Sequence, residues 1–96
     1  MNLLWTDIAW EDYLYWQTAD KKILQRINEL IDSIRRTPFQ GIGKPEGLKF
    51  ELTGKWSRRI NDEHRLVYTL TGKNEKVKNK MVDNRAIIIY QCRYHY

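Results

Sequence analysis

The stretch DKKILQRINELIDSIRRTPF, residues 20–39, decides the architecture of this 96-residue chain. Its isoleucines and leucines recur at steps of three and four residues with charged residues between them, which predicts a helix with one apolar face. Asp20 can cap that helix because its carboxylate accepts hydrogen bonds from free first-turn amides. Pro38 disfavours helical geometry at Thr37, so the helix is predicted to end just before it. The apolar face consists of Ile23, Leu24, Ile27, Leu30, Ile31 and Ile34.

The residues before this helix predict a short strand and another helix. Residues 2–5, NLLW, favour a strand, and Thr6 or Asp7 can cap a helix that runs to about Gln17. Apolar residues cover more than one stripe of this first helix, so it is expected to press against both the sheet and the second helix. Three tryptophans of this region are predicted core residues: Trp5, Trp10 and Trp16.

The residues after Pro38 predict a loop followed by strands. Glycines and a proline make 40–47 a loop. The apolar period then changes to two, first in Leu48, Phe50 and Leu52 and, after Gly54, in KWSRRI. Further strands are predicted at 65–70 and 85–94, joined by a polar hairpin tip. One strand, two helices and three antiparallel strands predict an α+β domain with both helices on one face of a mainly antiparallel sheet.

Length, composition and charge narrow the class of protein. With 96 residues, 42% of them hydrophobic, the chain is expected to form a single folded domain, residues 1–96. A net charge of +5 favours a polyanionic partner, either a nucleic acid or an acidic protein. No segment has the pattern of a membrane span or a signal peptide, and Cys92 is the only cysteine. These features predict a cytoplasmic protein without an internal disulfide or a membrane partner.

Alternation along the strands sorts their side chains onto two faces of the predicted sheet. Even-numbered residues form a plausible set against the helices: Leu66, Tyr68, Leu70, Ile88, Tyr90 and Cys92. The opposite face then receives a basic set with one histidine: Lys55, Ser57, Arg59, Arg65, Arg93 and His95. Arg59 and Arg65 flank a short turn, so their guanidinium groups can share one anion, and a phosphate is the natural candidate.

These residue types suit RNA cleavage without a metal. That reaction needs a base for the 2′-hydroxyl proton, an acid for the leaving 5′-oxygen and cations for the charged transition state. Glu46 is the best-placed candidate base, and His95 can exchange a proton near neutral pH. Arg59 and Arg65 can hold phosphate oxygens, while Tyr96 can stack on a base or orient the scissile step.

Each of these residues also has a purely structural interpretation. A terminal histidine is often a solvated surface group, and His64, in a polar turn beside two acidic residues, is expected to be exposed. Cys92 is expected to be a small buried apolar residue rather than a nucleophile. The histidines and the cysteine show no metal-ligand spacing, so no metal or other cofactor is expected.

Seven blocks, in one order, resemble the YoeB toxins of bacterial toxin-antitoxin pairs, within the RelE superfamily. The resemblance covers residues 1 to about 72 and again 85–96. The blocks are DYLYWQ (12–17), INELI (27–31), RRTPF (35–39), GKPE (43–46), WSRRI (56–60), EHRLVY (63–68) and the terminal CRYHY (92–96).

The resemblance implies a RelE-like fold and a ribosome-dependent endoribonuclease that cuts messenger RNA in the aminoacyl site and stops translation. It implies these roles: Glu46 as general base, His95 as general acid, Arg65 as the transition-state arginine, Lys49 and Arg59 as RNA-backbone contacts, and Tyr96 as a substrate-placing residue. It also implies a homodimer, a YefM-like antitoxin with an acidic flexible segment, and operator DNA binding only together with that antitoxin.

Two departures from the family pattern stand out. Residues 73–84, KNEKVKNKMVDN, look like an insertion at a hairpin turn that is short in the family, and Gly47 follows Glu46 where proline is expected. Two other functions stay open from sequence. One is a basic module that binds the ribosome or a nucleic acid without chemistry. The other is a gyrase-directed toxin like the ParE branch, although that branch lacks the Glu, Arg and terminal His-Tyr set.

Overall fold

The computed structural model describes residues 1–96 and contains two helices and seven strands. The elements are β1 Asn2–Trp5, α1 Asp7–Ala19, α2 Lys21–Arg36, β2 Glu46–Gly47, β3 Trp56–Arg59, β4 Arg65–Thr71, β5 Asn74–Val77, β6 Lys80–Asp83 and β7 Ala86–Gln91. A five-stranded sheet has the order β1-β7-β4-β3-β2, in which β1 lies parallel to β7 and the other pairs are antiparallel. Strands β5 and β6 form a separate two-stranded arm. The α+β prediction is therefore confirmed, and neither helix is long and apolar enough to cross a membrane.

Both helices begin at the predicted caps. The Thr6 hydroxyl accepts a hydrogen bond from the Ala9 amide, and the Asp20 carboxylate accepts from the amides of Lys22 and Ile23. Helix α2 ends at Arg36, as predicted, whereas α1 runs two residues past Gln17 to Ala19. The buried face of α2 packs on the sheet with Ile27, Leu30, Ile31, Ser33 and Ile34.

Helix α1 is less buried than predicted. Only Ala9 and Trp16 of this helix are buried, while Trp10 is 46% exposed. Trp5, Trp10 and Tyr13 form an aromatic cluster with ring centroids 4.6 to 5.9 Å apart. The core prediction is right for Trp16 and wrong for Trp10, because the sheet and α2 cover only part of the helix circumference.

The alternating residues after Leu48 do not form a strand. Phe50–Leu52 is instead a 3₁₀ turn, closed by hydrogen bonds from the Leu52 amide to the Lys49 carbonyl and from the Thr53 amide to the Phe50 carbonyl. Phe50 has a left-handed backbone with φ of 57° and is 88% exposed. The strand prediction fails here because only Leu48 of the three apolar residues is buried.

A bulge in β7 corrects the predicted sheet faces. Tyr68 pairs with Ile89 but Val67 pairs with Gln91, so Tyr90 is an extra residue on β7. Ile87 and Ile89 consequently join the core in place of the predicted Ile88 and Tyr90. Cys92 lies beyond the bulge and is buried, as predicted. Strand β7 ends at Gln91 rather than at residue 94.

Candidate active site

A buried arginine shapes the loop that leads to Glu46. The side chain of Arg58, on β3, is fully buried, and its guanidinium donates hydrogen bonds to neutral acceptors only. Three of them are backbone carbonyls of the loop after α2: Thr37 at 2.7 Å, Gln40 at 2.6 Å and Ile42 at 3.1 Å. The others are the hydroxyls of Ser33 and Tyr68. Arg58 thus joins the end of α2, the loop and β4 in one network.

Two glycines let this loop approach α2 and β3 closely. Gly41 and Gly43 have φ values of 112° and 82°, a region that favours glycine. A Cβ atom on Gly43 would lie 2.7 Å from the Leu30 side chain, which is closer than side chains tolerate. The Gly43 carbonyl accepts a 2.7 Å hydrogen bond from the Arg59 amide. The loop then enters β2, where Glu46 pairs with Ser57.

Arg65 is held by the turn that precedes it. The Asn61 side chain accepts hydrogen bonds from the amides of Glu63 and His64, which closes the turn. Nη1 of Arg65 donates to the carbonyls of Asn61 at 2.6 Å, Asp62 at 3.3 Å and His64 at 3.1 Å. The Nε and Nη2 atoms of Arg65 make no hydrogen bond within the protein, so they are free to bind an anion.

The C-terminal segment is fixed by His64, which corrects the prediction that this histidine is exposed. His64 is only 6% exposed, and its Nδ1 accepts a 2.7 Å hydrogen bond from the Tyr94 amide. The Tyr94 carbonyl accepts from the Arg65 amide at 3.0 Å. Because an imidazole nitrogen that accepts is unprotonated, this contact requires the neutral form of His64 with its proton on Nε2.

Cys92 secures the same segment from the side of α1. Its carbonyl accepts a hydrogen bond from Trp16 Nε1 at 2.9 Å, and its amide donates to the Asp12 carboxylate at 3.1 Å. Burial raises the pKa of the Cys92 thiol far above its usual range, so the thiol stays protonated and unreactive. With Cys92 and Tyr94 fixed, the chain delivers His95 and Tyr96 to the open face of the sheet.

These supports converge on one small cleft of about 160 Å³. The Tyr96 hydroxyl donates to Glu46 Oε1 at 3.5 Å and lies 3.4 Å from the Ser57 hydroxyl. The His95 ring packs on the Tyr96 ring with centroids 4.8 Å apart. The lining residues are Lys44, Glu46, Ser57, Arg59, Arg65, His95 and Tyr96.

The cleft contains five of the six residues singled out from the sequence. The sixth, Lys49, lines an adjoining cleft that shares Glu46 and Tyr96 as walls. Arg93, predicted for the same face, instead lies 3.6 Å from the ring centroid of Tyr15 on α1. The end of β7 at Gln91 accounts for this, because residues 92–94 form a bend in which strand alternation no longer applies.

Three cations and one carboxylate line the cleft. Lys44, Arg59 and Arg65 form no ion pair there with Glu46, so their charge is available to a ligand. An excess of cations around one carboxylate and one imidazole suits a phosphodiester. Nowhere does the structure bring together three or more His, Cys, Asp or Glu side chains in a group that could hold a metal ion.

Sequence reasoning missed the residues that support the site. Neither Arg58 nor His64 lines the cleft. Arg58 shapes the loop before Glu46, and His64 holds the segment before His95. Arg58 could have been found from its even residue number. It lies between Ser57 and Arg59 of the basic face, so strand alternation places its side chain toward the helices. His64 offered no comparable signal, since a turn of four polar residues is typically solvated.

Comparisons with known proteins agree on one group. A family described as the YoeB-like toxin of bacterial type II toxin-antitoxin systems matches residues 5–96. Toxin YoeB of Escherichia coli (strain K12) is 52% identical over 96 residues, and the match covers 100% of both proteins. The YoeB/ParE toxin from Agrobacterium tumefaciens has a TM-score of 0.87 and 44% identity over 100% of both chains. The YoeB dimer from Staphylococcus aureus has a TM-score of 0.80 and 49% identity, and the match covers 100% of this chain and 98% of that one.

Proposed function

The chain belongs to the YoeB-like toxin family of bacterial type II toxin-antitoxin systems, and we propose that it is a ribosome-dependent endoribonuclease. Its substrate in this proposal is messenger RNA in the aminoacyl site of the ribosome, and its effect is to stop translation. The observation that supports it best is the single cleft in which Glu46, Arg65, His95 and Tyr96 meet.

The chemistry follows from the groups in that cleft. Glu46 removes the proton of a 2′-hydroxyl, whose oxygen attacks the adjacent phosphorus. A 2′,3′-cyclic phosphate forms as the bond to the 5′-oxygen breaks, and His95 donates a proton to that leaving oxygen. The free nitrogens of Arg65, together with Arg59, stabilise the negative charge that builds on the phosphate oxygens. DNA lacks the 2′-hydroxyl and does not react.

The remaining members of the cleft place the substrate. Tyr96 contacts both the Glu46 carboxylate and the His95 ring, so it can hold the base and the acid in a fixed relation. Lys44 and Lys49 stand on either side of Glu46 in sequence and add phosphate contacts along the RNA backbone. Glu46 and His95 form no ion pair with each other in the free protein, so the acid and the base remain separate groups.

The proposal includes an antitoxin and a homodimer. The relatives from Staphylococcus aureus were solved as a YoeB dimer and as a heterotetrameric YoeB-YefM complex. A net charge of +5 and a cleft rich in cations suit an acidic antitoxin segment, which would cover the cleft and block RNA. Operator DNA is bound only by the toxin together with its antitoxin in this proposal.

Primer extension on a defined messenger tests the proposal. Purified ribosomes are stopped with a known codon in the aminoacyl site, and the wild type, His95→Ala, Arg65→Ala or Arg36→Ala protein is added. Arg36 is an exposed arginine on α2 with no hydrogen-bond partner, so its replacement controls for the loss of one charge. We expect the wild type and Arg36→Ala to cut within the codon, and the other two variants to cut at least about 100-fold more slowly.

Three outcomes would contradict all or part of the proposal. Ribosome binding without any cut by the wild type would support a docking module instead. Normal cleavage by folded His95→Ala would remove that residue from the mechanism. Inhibition of DNA gyrase in a supercoiling assay, with no effect on ribosomes, would support the ParE-like alternative.

A further inference from the structure

A second cleft lies beside the candidate active site and shares two of its walls. This second cleft has a volume of about 630 Å³. Glu46 and Tyr96 line both clefts, so a ligand that continues from the first cleft enters the second directly. The other lining residues are Gly47, Leu48, Lys49, Phe50, Glu51 and Leu52.

Phe50 is unusual among these residues because the fold leaves its ring exposed to solvent. At 88% exposure it is the most exposed large hydrophobic residue of the chain, ahead of Met81 at 69%. A single exposed apolar residue is ordinary, but this one also has a left-handed backbone. A φ of 57° is unfavourable for a bulky L-residue and persists only where surrounding contacts impose it.

The contacts that impose this conformation can be identified. The Phe50 carbonyl accepts from both the Thr53 amide at 3.1 Å and the Thr53 hydroxyl at 2.7 Å. The Leu52 amide donates to the Lys49 carbonyl, and the Lys55 amide donates to the Leu52 carbonyl. The turn is therefore closed on both sides of Phe50, and its conformation points a full aromatic ring into solvent at the rim of the cleft.

We propose that Phe50 stacks on a base of the RNA substrate next to the scissile phosphate, and that the second cleft is the binding site for that nucleotide. This inference rests on the proposed ribonuclease function. Aromatic side chains on exposed turns bind single-stranded RNA by stacking, and Lys49 beside Phe50 can contact the adjoining phosphate. A nucleobase fits better than an apolar peptide side chain because the cleft continues into the cation-rich phosphate site.

Replacements of Phe50 separate stacking from apolar contact and from folding. Phe50→Leu keeps an apolar side chain but removes the aromatic face, whereas Phe50→Trp keeps an aromatic face. Phe50→Gly removes the ring and also relieves the left-handed strain, so its Tm should equal or exceed that of the wild type. Met81→Ala serves as the matched control, since Met81 is exposed on β6, outside both clefts.

The first measurement is cleavage as a function of the concentration of programmed ribosomes. Loss of one base stack weakens binding by roughly 5- to 150-fold. We expect Phe50→Leu and Phe50→Gly to raise the half-saturating concentration within this range and to leave the saturated rate within about threefold. Phe50→Trp and Met81→Ala should stay close to the wild type. A Phe50→Leu variant that matches the wild type would overturn the stacking proposal.

The second measurement identifies the nucleotide. 2-Aminopurine is placed at successive positions around the aminoacyl-site codon, and its fluorescence is recorded as toxin with His95→Ala binds. Stacking should quench the fluorescence of 2-aminopurine at one position. This quenching should be absent when the protein carries Phe50→Leu together with His95→Ala. Quenching that persists without the ring would refute the assignment. If the Phe50 replacements change only the inhibition by an acidic antitoxin peptide, the second cleft binds a peptide and the stacking proposal is wrong. Absence of cleavage by the wild type would contradict the proposed ribonuclease function. That result differs from persistent quenching and from an effect on peptide inhibition alone, so the two failures can be told apart.

Discussion

Replacing Arg58 by methionine should destabilise the fold by about 2–4 kcal/mol. The change keeps an apolar stem but leaves the carbonyls of the 37–42 loop and the Ser33 hydroxyl without their donor. An unpaired buried acceptor costs about 1–3 kcal/mol, and the three carbonyls lie at the lower end because they are only partly buried. Methionine carries no charge, so the variant avoids the free-energy cost of burying a guanidinium. This gain lowers the summed loss of stability to the stated range.

Urea and thermal unfolding measure this loss, followed by cleavage of ribosome-bound messenger at a temperature where the variant is folded. Each kcal/mol lowers the Tm of a domain of this size by about 4–8 °C. Cleavage should also slow, because the loop that Arg58 holds leads directly to Lys44 and Glu46. The loss of activity should persist below the Tm, where unfolding no longer explains it.

Tyr68→Phe is the control for this experiment. The Tyr68 hydroxyl accepts from Arg58 Nε and donates to the Pro38 carbonyl, so its removal deletes only the edge of the network. We expect a loss of about 1 kcal/mol and normal cleavage. A change below about 1 kcal/mol in Arg58→Met would refute the reasoning and would mean that the turns at Gly41 and Gly43 hold the loop by themselves.

Three further predictions concern Asp12, Cys92 and the two-stranded arm. Burial raises the pKa of Asp12, so folding favours the protonated form of its carboxyl group. The resulting contribution to stability is complete below the ordinary aspartate pKa and is lost as pH rises through the raised value. Urea midpoints across this range should fall with pH in the wild type and less in Asp12→Asn. The Cys92 thiol should react with a disulfide reagent at least about 100-fold faster in urea than in the folded protein, because it is buried and its pKa is raised. Deleting 73–84 should leave the Tm within a few degrees and cleavage unchanged, since every residue of β5 and β6 is exposed, and lost cleavage would show that the arm contributes to activity.

Local signals in the sequence were enough to predict the helices. Asp20 and Pro38 delimit α2, and its three- and four-residue periodicity identifies the buried face, because capping and helix geometry depend on neighbouring residues only. The same holds for the turn at 61–64. The assembly of Glu46, Arg59, Arg65, His95 and Tyr96 in one cleft was anticipated from residue chemistry and from the family resemblance.

Features that depend on distant contacts could not be predicted in this way. The extra residue at Tyr90 reverses the faces of β7, and only its pairing with β4 reveals it. The turn at Phe50 was missed for a different reason: local hydrogen bonds from Thr53 close it, but Leu48, Phe50 and Leu52 alternate as strand residues would. His64 is buried because Trp16 and Tyr94 cover it, and these residues lie 48 and 30 positions away in the sequence.

The contacts of Trp16 give the protein a built-in optical reporter. Its indole donates to the Cys92 carbonyl and packs edge-on against His64 with centroids 4.8 Å apart, so the residues that fix the C-terminal segment surround one fluorophore. Replacing the other tryptophans, Trp5, Trp10 and Trp56, by phenylalanine would leave Trp16 as the sole source of indole emission. Displacement of the segment by a bound partner would then appear as a change in intensity or wavelength, without an attached dye.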